Sequence, residues 1–121
     1  MQIQRYETGK RMSQAVAYGG FVFLAGQVAL DAPGASVREQ TTNILSRIVR
    51  LLENAGSDPT RILSATIWLQ DMSTFEEMNT VWDAWLPPGQ APARATVEAE
   101  LASKEFSVEI GIIAAGTDAA L

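Results

Sequence analysis

The chain has 121 residues, 47% hydrophobic and 19% charged, the size and composition of one soluble globular domain spanning 1–121. Fourteen acidic residues against nine basic ones give a net charge of −5, with the basic residues scattered, a balance that disfavours nucleic acid as a partner. The absence of cysteine and histidine excludes disulfides, cysteine nucleophiles, Ser-His triads and the usual zinc ligand sets.

Residues 2–8 alternate weakly and predict an edge strand ended by Gly9-Lys10. Two strand-like runs, 14–18 and 21–25, flank Gly19-Gly20, the two-residue turn of a hairpin. Gly26 interrupts the second run, and a glycine inside a strand marks a bulge or a close approach of the backbone to something else. Ser36 and Glu39 have capping-box spacing. Beyond them Val37, Thr41, Ile44, Leu45, Ile48, Leu51, Leu52 and Ala55 recur at threes and fours, which predicts a helix with one buried stripe, stopped at Gly56. Its other face, with Arg38, Glu39, Arg47, Arg50 and Glu53, reads as solvated surface.

After the Asp58-Pro59 turn, the apolar and partly β-branched run 62–69 predicts a central strand. Ser73 and Glu76 repeat the capping-box spacing, and Phe75, Met78, Trp82, Trp85 and Leu86 predict a second amphipathic helix ending at Pro87-Pro88. The three tryptophans fit anchors of a core or a subunit interface. Two alternating runs close the chain, P-A-R-A-T-V-E-A-E-L (92–101) and F-S-V-E-I-G-I-I-A-A (106–115). This order of elements predicts an α+β two-layer sandwich with two helices on one face of a sheet. So small a domain gains stability by burying further area between subunits, so an oligomer is expected. The N-terminus lacks a basic-then-apolar signal pattern and no apolar run is long enough to span a bilayer, which predicts a cytoplasmic protein without a membrane partner.

Arg94 stands on a strand of small residues, where little would fill the space around a guanidinium except a small anion whose carboxylate matches its planar fork. Glu109 faces away from Val108 and Ile110, where a carboxylate is either solvated or lines a pocket. If the last two strands formed a simple hairpin across 102–105, Glu109 would fall opposite Glu98, roughly 13 Å along the strand from Arg94 and too far for joint work on a three-carbon substrate. Either the strands are not paired in that way, or a site using both residues is completed across a subunit boundary.

The run A-P-A-R-A-T-V-E-A-E-L, with V-E-I and I-A-A at the matching distance, resembles the C-terminal signature of the RidA/YjgF family of enamine/imine deaminases. R-M-S-Q-A-V, F-L-A-G-Q-V, E-Q-T-T-N-I-L, I-W-L-Q-D-M and F-E-E-M-N-T-V-W-D-A-W fall in the same order and spacing, so the likeness covers nearly the whole chain. It implies a mixed sheet in a chorismate mutase-like fold, a homotrimer with sites between subunits, and no cofactor or metal. It also implies hydrolysis of short 2-aminoacrylate-type enamines and imines to 2-keto acids and ammonia. Carried over position by position, Arg94 would bind the substrate carboxylate, Glu109 would contact the attacking water, and Gly26, Asn79 and Thr96 would lie near the ligand. Three departures bear on substrate choice: Met12, at a substrate-bordering position where the best-known members have a tyrosine, Thr96 where many have cysteine, and Gly111 where a second glutamate is common. R-M-S-Q-A-V is closer to a subgroup typified by YoaB. Two other classes stay open. An endoribonuclease is poorly served by an acidic chain without histidine. A non-enzymatic trimer binding a small carboxylate or an unfolded client would need Arg94 without chemistry at Glu109.

Overall fold

The computed structural model describes residues 2–117. Six strands, β1 (Gln4–Thr8), β2 (Ser13–Tyr18), β3 (Phe21–Val28), β4 (Ile62–Leu69), β5 (Ala93–Glu98) and β6 (Val108–Ala115), form one sheet in the order β1-β2-β3-β6-β4-β5. Two helices, α1 (Val37–Asn54) and α2 (Phe75–Trp85), pack on one face of it. The α+β sandwich is therefore present, and its sheet is mixed: β4 and β5 run parallel, every other pair antiparallel.

Local chemistry accounts for most boundaries. Gly19 and Gly20 take φ of 61° and 87°, the left-handed values that a tight hairpin turn requires and that side chains resist. Ser36 caps α1 as expected, its Oγ accepting from Glu39 N at 3.1 Å. A second free amide of that helix end, Arg38 N, donates to Glu77 Oε2 of α2 at 2.9 Å, so the second helix helps to cap the first. The cap expected at Ser73 is not made. Asp71 instead accepts from Ser73 N at 2.9 Å and opens a 3-10 turn, Met72–Thr74, from which α2 continues without a side-chain cap. An aspartate two residues before a free amide makes this local turn, so Ser73 becomes a donor rather than a cap.

The final strands are not a hairpin. α2 is the crossover of a β4–α2–β5 unit, which places β5 parallel to β4 at the sheet edge, and β6 enters on the other side of β4. In this register Arg94 lies beside Ala65, while Glu109 lies beside Trp68.

Ile44, Leu45, Ile48, Leu51 and Leu52 of α1 are buried against Ile67 and Leu69 of β4 and Val108, Ile110 and Ile112 of β6. Each such side chain contributes about 1.5–3 kcal/mol by leaving water. Alternation sends the other side chains to the opposite, uncovered face, where Phe23 of β3 is 42% exposed, Val97 of β5 45% and Ile113 of β6 38%. Of the tryptophans, Trp82 is a core residue, and Trp85 is partly buried with its ring centroid 5.6 Å from that of Trp82. Trp68 lies on the uncovered face against Gly111, where an added Cβ would come 3.4 Å from its ring. The indole thus occupies the space beside Gly111, the position noted above as one where a second glutamate is common.

Candidate functional site

Arg94, Thr96 and Glu98 share the helix-side face of β5 with Ala65, Ile67 and Leu69 of β4, whereas Ala93, Ala95 and Val97 face away from the helices. Arg94 Cζ lies 5.7 Å from the centroid of the Phe75 ring and 5.5 Å from that of Trp82, both on α2. Both contacts are within cation–π range, an attraction that uses the rings without consuming N–H donors. Among the described residues no carboxylate pairs with Arg94. Its fork is available to an anion.

Asn79 stands between Phe75 and Trp82 on α2, and Thr96 follows Arg94 on the same strand face. Asn79 Oδ1 and Thr96 Oγ1 are both shielded from solvent without a hydrogen-bond partner, a condition that costs about 1–3 kcal/mol per group. Arg94 and Thr96 thus share one face of β5, and Asn79 lies on the helix whose Phe75 and Trp82 meet Arg94.

Glu109 is elsewhere. It projects from the uncovered face, and the register sets its Cα about 14 Å from that of Arg94, three residues along and two strands across. The pairing alternative left open by the sequence is thus settled within one chain: β5 and β6 are separated by β4, and the two residues point to opposite sides of the sheet. Gly26 lies with Glu109. The β3–β6 register shifts between Leu24 and Gln27, so the expected bulge is present, and it brings the Gly26 backbone under the carboxylate. A Cβ at Gly26 would come 3.0 Å from Glu109 Cδ and 3.2 Å from Cγ, and closer still to Oε2. Bulge and close approach are both realised here. Burial raises the Glu109 pKa above its ordinary value, and no hydrogen bond reaches the carboxylate among the described residues. Met12, 49% exposed, sits in the β1–β2 turn with its carbonyl accepting from Gly9 N at 2.8 Å, at the Glu109 end of the sheet.

One residue read as solvated surface is not. Arg47 is half-buried under the sheet, its Nε donating to Gln27 Oε1 at 3.3 Å and its Nη1 3.8 Å from Asp31 Oδ2. Helical spacing put it on the polar face, but its long stem carries the guanidinium back to β3. Gln27, a lone amide in an apolar strand, was the available sequence signal. Phe75 and Trp82 were legible only as core, since nothing local says which cation they face. Among the described residues no cluster of acidic side chains is arranged to hold a metal, and no helix is long and apolar enough to cross a membrane.

A family model described as Endoribonuclease L-PSP matches residues 2–116. A RutC family protein of Haemophilus ducreyi is 41% identical over 113 residues, covering 93% of this chain and 96% of that one. The RutC family protein YoaB of Escherichia coli is 40% identical over 115 residues, covering 95% and 99%. The solved structure of NMB1025, a YjgF family member from Neisseria meningitidis, superposes with a TM-score of 0.94 at 46% identity, covering 98% of each chain. The registered motifs, the two-helix mixed-sheet sandwich and these relatives agree that the chain belongs to the RidA/YjgF family, the family of the L-PSP model.

Proposed function

We propose that this protein hydrolyses short 2-aminoacrylate-type enamines, through their imine tautomers, to 2-keto acids and ammonia, and that it does so as a homotrimer. The observation that carries the reading is the pair of groups the chain leaves unsatisfied. Arg94 is a guanidinium flanked by two rings with no carboxylate of its own, and Glu109 is a partly buried carboxylate with no donor. They point to opposite faces, so one chain cannot bring both to one small substrate. A neighbouring copy packed around the β5 edge, where Arg94 lies, and onto the uncovered apolar face beside it, with Phe23, Val97 and Ile113, would cover exposed hydrophobic area and bring a second Glu109 toward the first Arg94.

In that cleft Arg94 binds the carboxylate bidentately and fixes the imine carbon. Water adds its oxygen to C2 of the protonated imine as one of its protons passes to Glu109. That proton moves to the amino nitrogen of the carbinolamine, the C–N bond breaks with release of ammonia, and the hydroxyl proton passes to that ammonia, leaving the ketone and ammonium. A carboxylate with a raised pKa is the stronger base for the first transfer. No step uses a cofactor.

The deciding experiment generates 2-aminoacrylate enzymatically and follows ammonia release with and without the protein. Acceleration over the uncatalysed rate supports the reading. Keto acid binding without acceleration would leave a carboxylate-binding protein in its place.

A further inference from the structure

Beneath Gly26 and Glu109, on the helix side of the sheet, lies a polar group that neither the reaction nor the core requires. Gln27 is 2% exposed, yet its amide is fully engaged. Nε2 donates to Gln14 Oε1 of β2 at 2.9 Å and to the Ala25 carbonyl at 2.9 Å, while Oε1 accepts from Arg47 of α1 at 3.3 Å. Burying such an amide is unfavourable unless every bond is made, so a fully satisfied one fixes its surroundings in a single arrangement. Here that arrangement is the bulge. Ala25 and Gln27 flank Gly26, the register shift falls between Leu24 and Gln27, and the bond from Gln27 Nε2 to the Ala25 carbonyl closes the chain around Gly26.

We propose that Gln27, held by Gln14 and Arg47, is a positioning residue for Glu109: it locks the bulge whose Gly26 backbone forms the floor on which the Glu109 side chain rests. The contact is direct on the floor side, since Oε2, Cδ and Cγ of Glu109 all lie within touching distance of a Cβ placed at Gly26. No hydrogen bond reaches the carboxylate among the described residues, so the floor is what sets its place. Arg47 in turn lies 3.8 Å from Asp31, which also accepts from Asn43 Nδ2 at 3.4 Å, so the support runs back through α1 to the loop after β3. The role in turnover rests on the deaminase reading, whereas the control of the carboxyl does not.

The test replaces Gln27 by Met, which keeps length and removes every hydrogen bond, and reads two quantities. One is kinetic: kcat should fall about a hundredfold, as for a catalytic group misplaced by an ångström, while KM changes less than about threefold because Arg94 is untouched. The other is the titration of the Glu109 carboxyl, followed by NMR of carbon-13-labelled glutamate, which should move back toward the ordinary range as the floor loosens and water enters. Burial is the cause of the raised value in the native chain. If Gln27→Met does not fold, Arg47→Met, which deletes the bond to Gln27 Oε1 and the contact with Asp31 but leaves both bonds from Gln27 Nε2, should show both effects in smaller measure. A folded variant with the native titration overturns the proposal. So does an unchanged kcat in a protein whose wild type is active. If the wild type does not accelerate imine hydrolysis, the deaminase reading fails and the titration alone decides the positioning claim.

Discussion

Gly26 and Glu109 occupy one volume between them: the space that a side chain on Gly26 would fill is already taken by the Glu109 carboxylate. Gly26→Ala therefore has only one easy outlet, a displacement of the Glu109 side chain, whose free end is half-exposed and able to move. Stability should stay within about 1 kcal/mol of native, since the core is not involved, while turnover falls by about tenfold or more. Thermal melts and ammonia release on the same preparation check this. Native turnover in the alanine variant would remove Glu109 placement from the mechanism.

Glu109→Gln keeps size and polarity but removes the base. Turnover should fall by about one to three orders of magnitude with keto acid binding retained. The same variant has a stability signature. Because burial raises the folded pKa above the ordinary 4.5, the unfolded chain ionises first as pH rises. The contribution of this carboxyl is fully present below 4.5 and is lost as pH climbs through the raised value. Denaturation midpoints of wild type and Glu109→Gln, measured as a function of pH, should hold a constant offset below 4.5 and diverge in favour of the variant above it. The acid limb of the activity profile should fall at a pH above 4.5 for the same reason.

Arg94→Lys keeps the charge beside Phe75 and Trp82 but loses the planar fork. A bidentate charged contact is worth about 2–4 kcal/mol, so kcat/KM should drop roughly thirty- to a thousandfold with fold and assembly intact. A ribonuclease holding phosphate by point charge would tolerate the exchange. Full deaminase activity in a folded Arg94→Lys protein would overturn the assignment.

Phe23 and Ile113 pair across β3 and β6 on the uncovered face. Sedimentation should give three times the chain mass for the native protein, and Phe23→Glu should shift it toward one. Since Phe23 is exposed in the single chain, that variant should stay folded, as circular dichroism would report, while losing deaminase activity. A monomer with native activity would sink the shared-site arrangement.

Features governed by a few neighbouring residues could be read from the sequence, and features of tertiary placement could not. The Gly19-Gly20 turn, the Ser36 cap and the α1 stripe depend on contacts a few residues away, and all are present. Ser73 shows how narrow that reading is: spacing alone named a cap, but Asp71 opens a 3-10 turn that takes Ser73 inside it. Ser36→Ala should accordingly cost about 1 kcal/mol and Ser73→Ala less than about 0.5, measured by urea unfolding. The place of β6 between β3 and β4 depends on pairings made far along the chain, for which alternation holds no address. Hence Arg94 and Glu109 could be named from the sequence, but not the opposite faces they occupy. Arg47 escaped for a related reason, since a helical wheel records where a Cα lies and not where a long side chain ends.

The strand that carries Glu109 is the sixth in sequence and the fourth across the sheet. During synthesis β1 to β3 can associate early, and β4 with α2 and β5 can form a unit of their own. Each of these halves shows an unpaired inner edge until residues 108–115 slide between them. A chain folding in that order would have two open edges at this stage, a configuration prone to joining other chains. Closure rests on pairings such as Phe21 with Ala115, among the most distant in sequence and therefore among the slowest to find. Release of the late segment, sealing of the sheet and arrival of Glu109 beside Gly26 are then a single event.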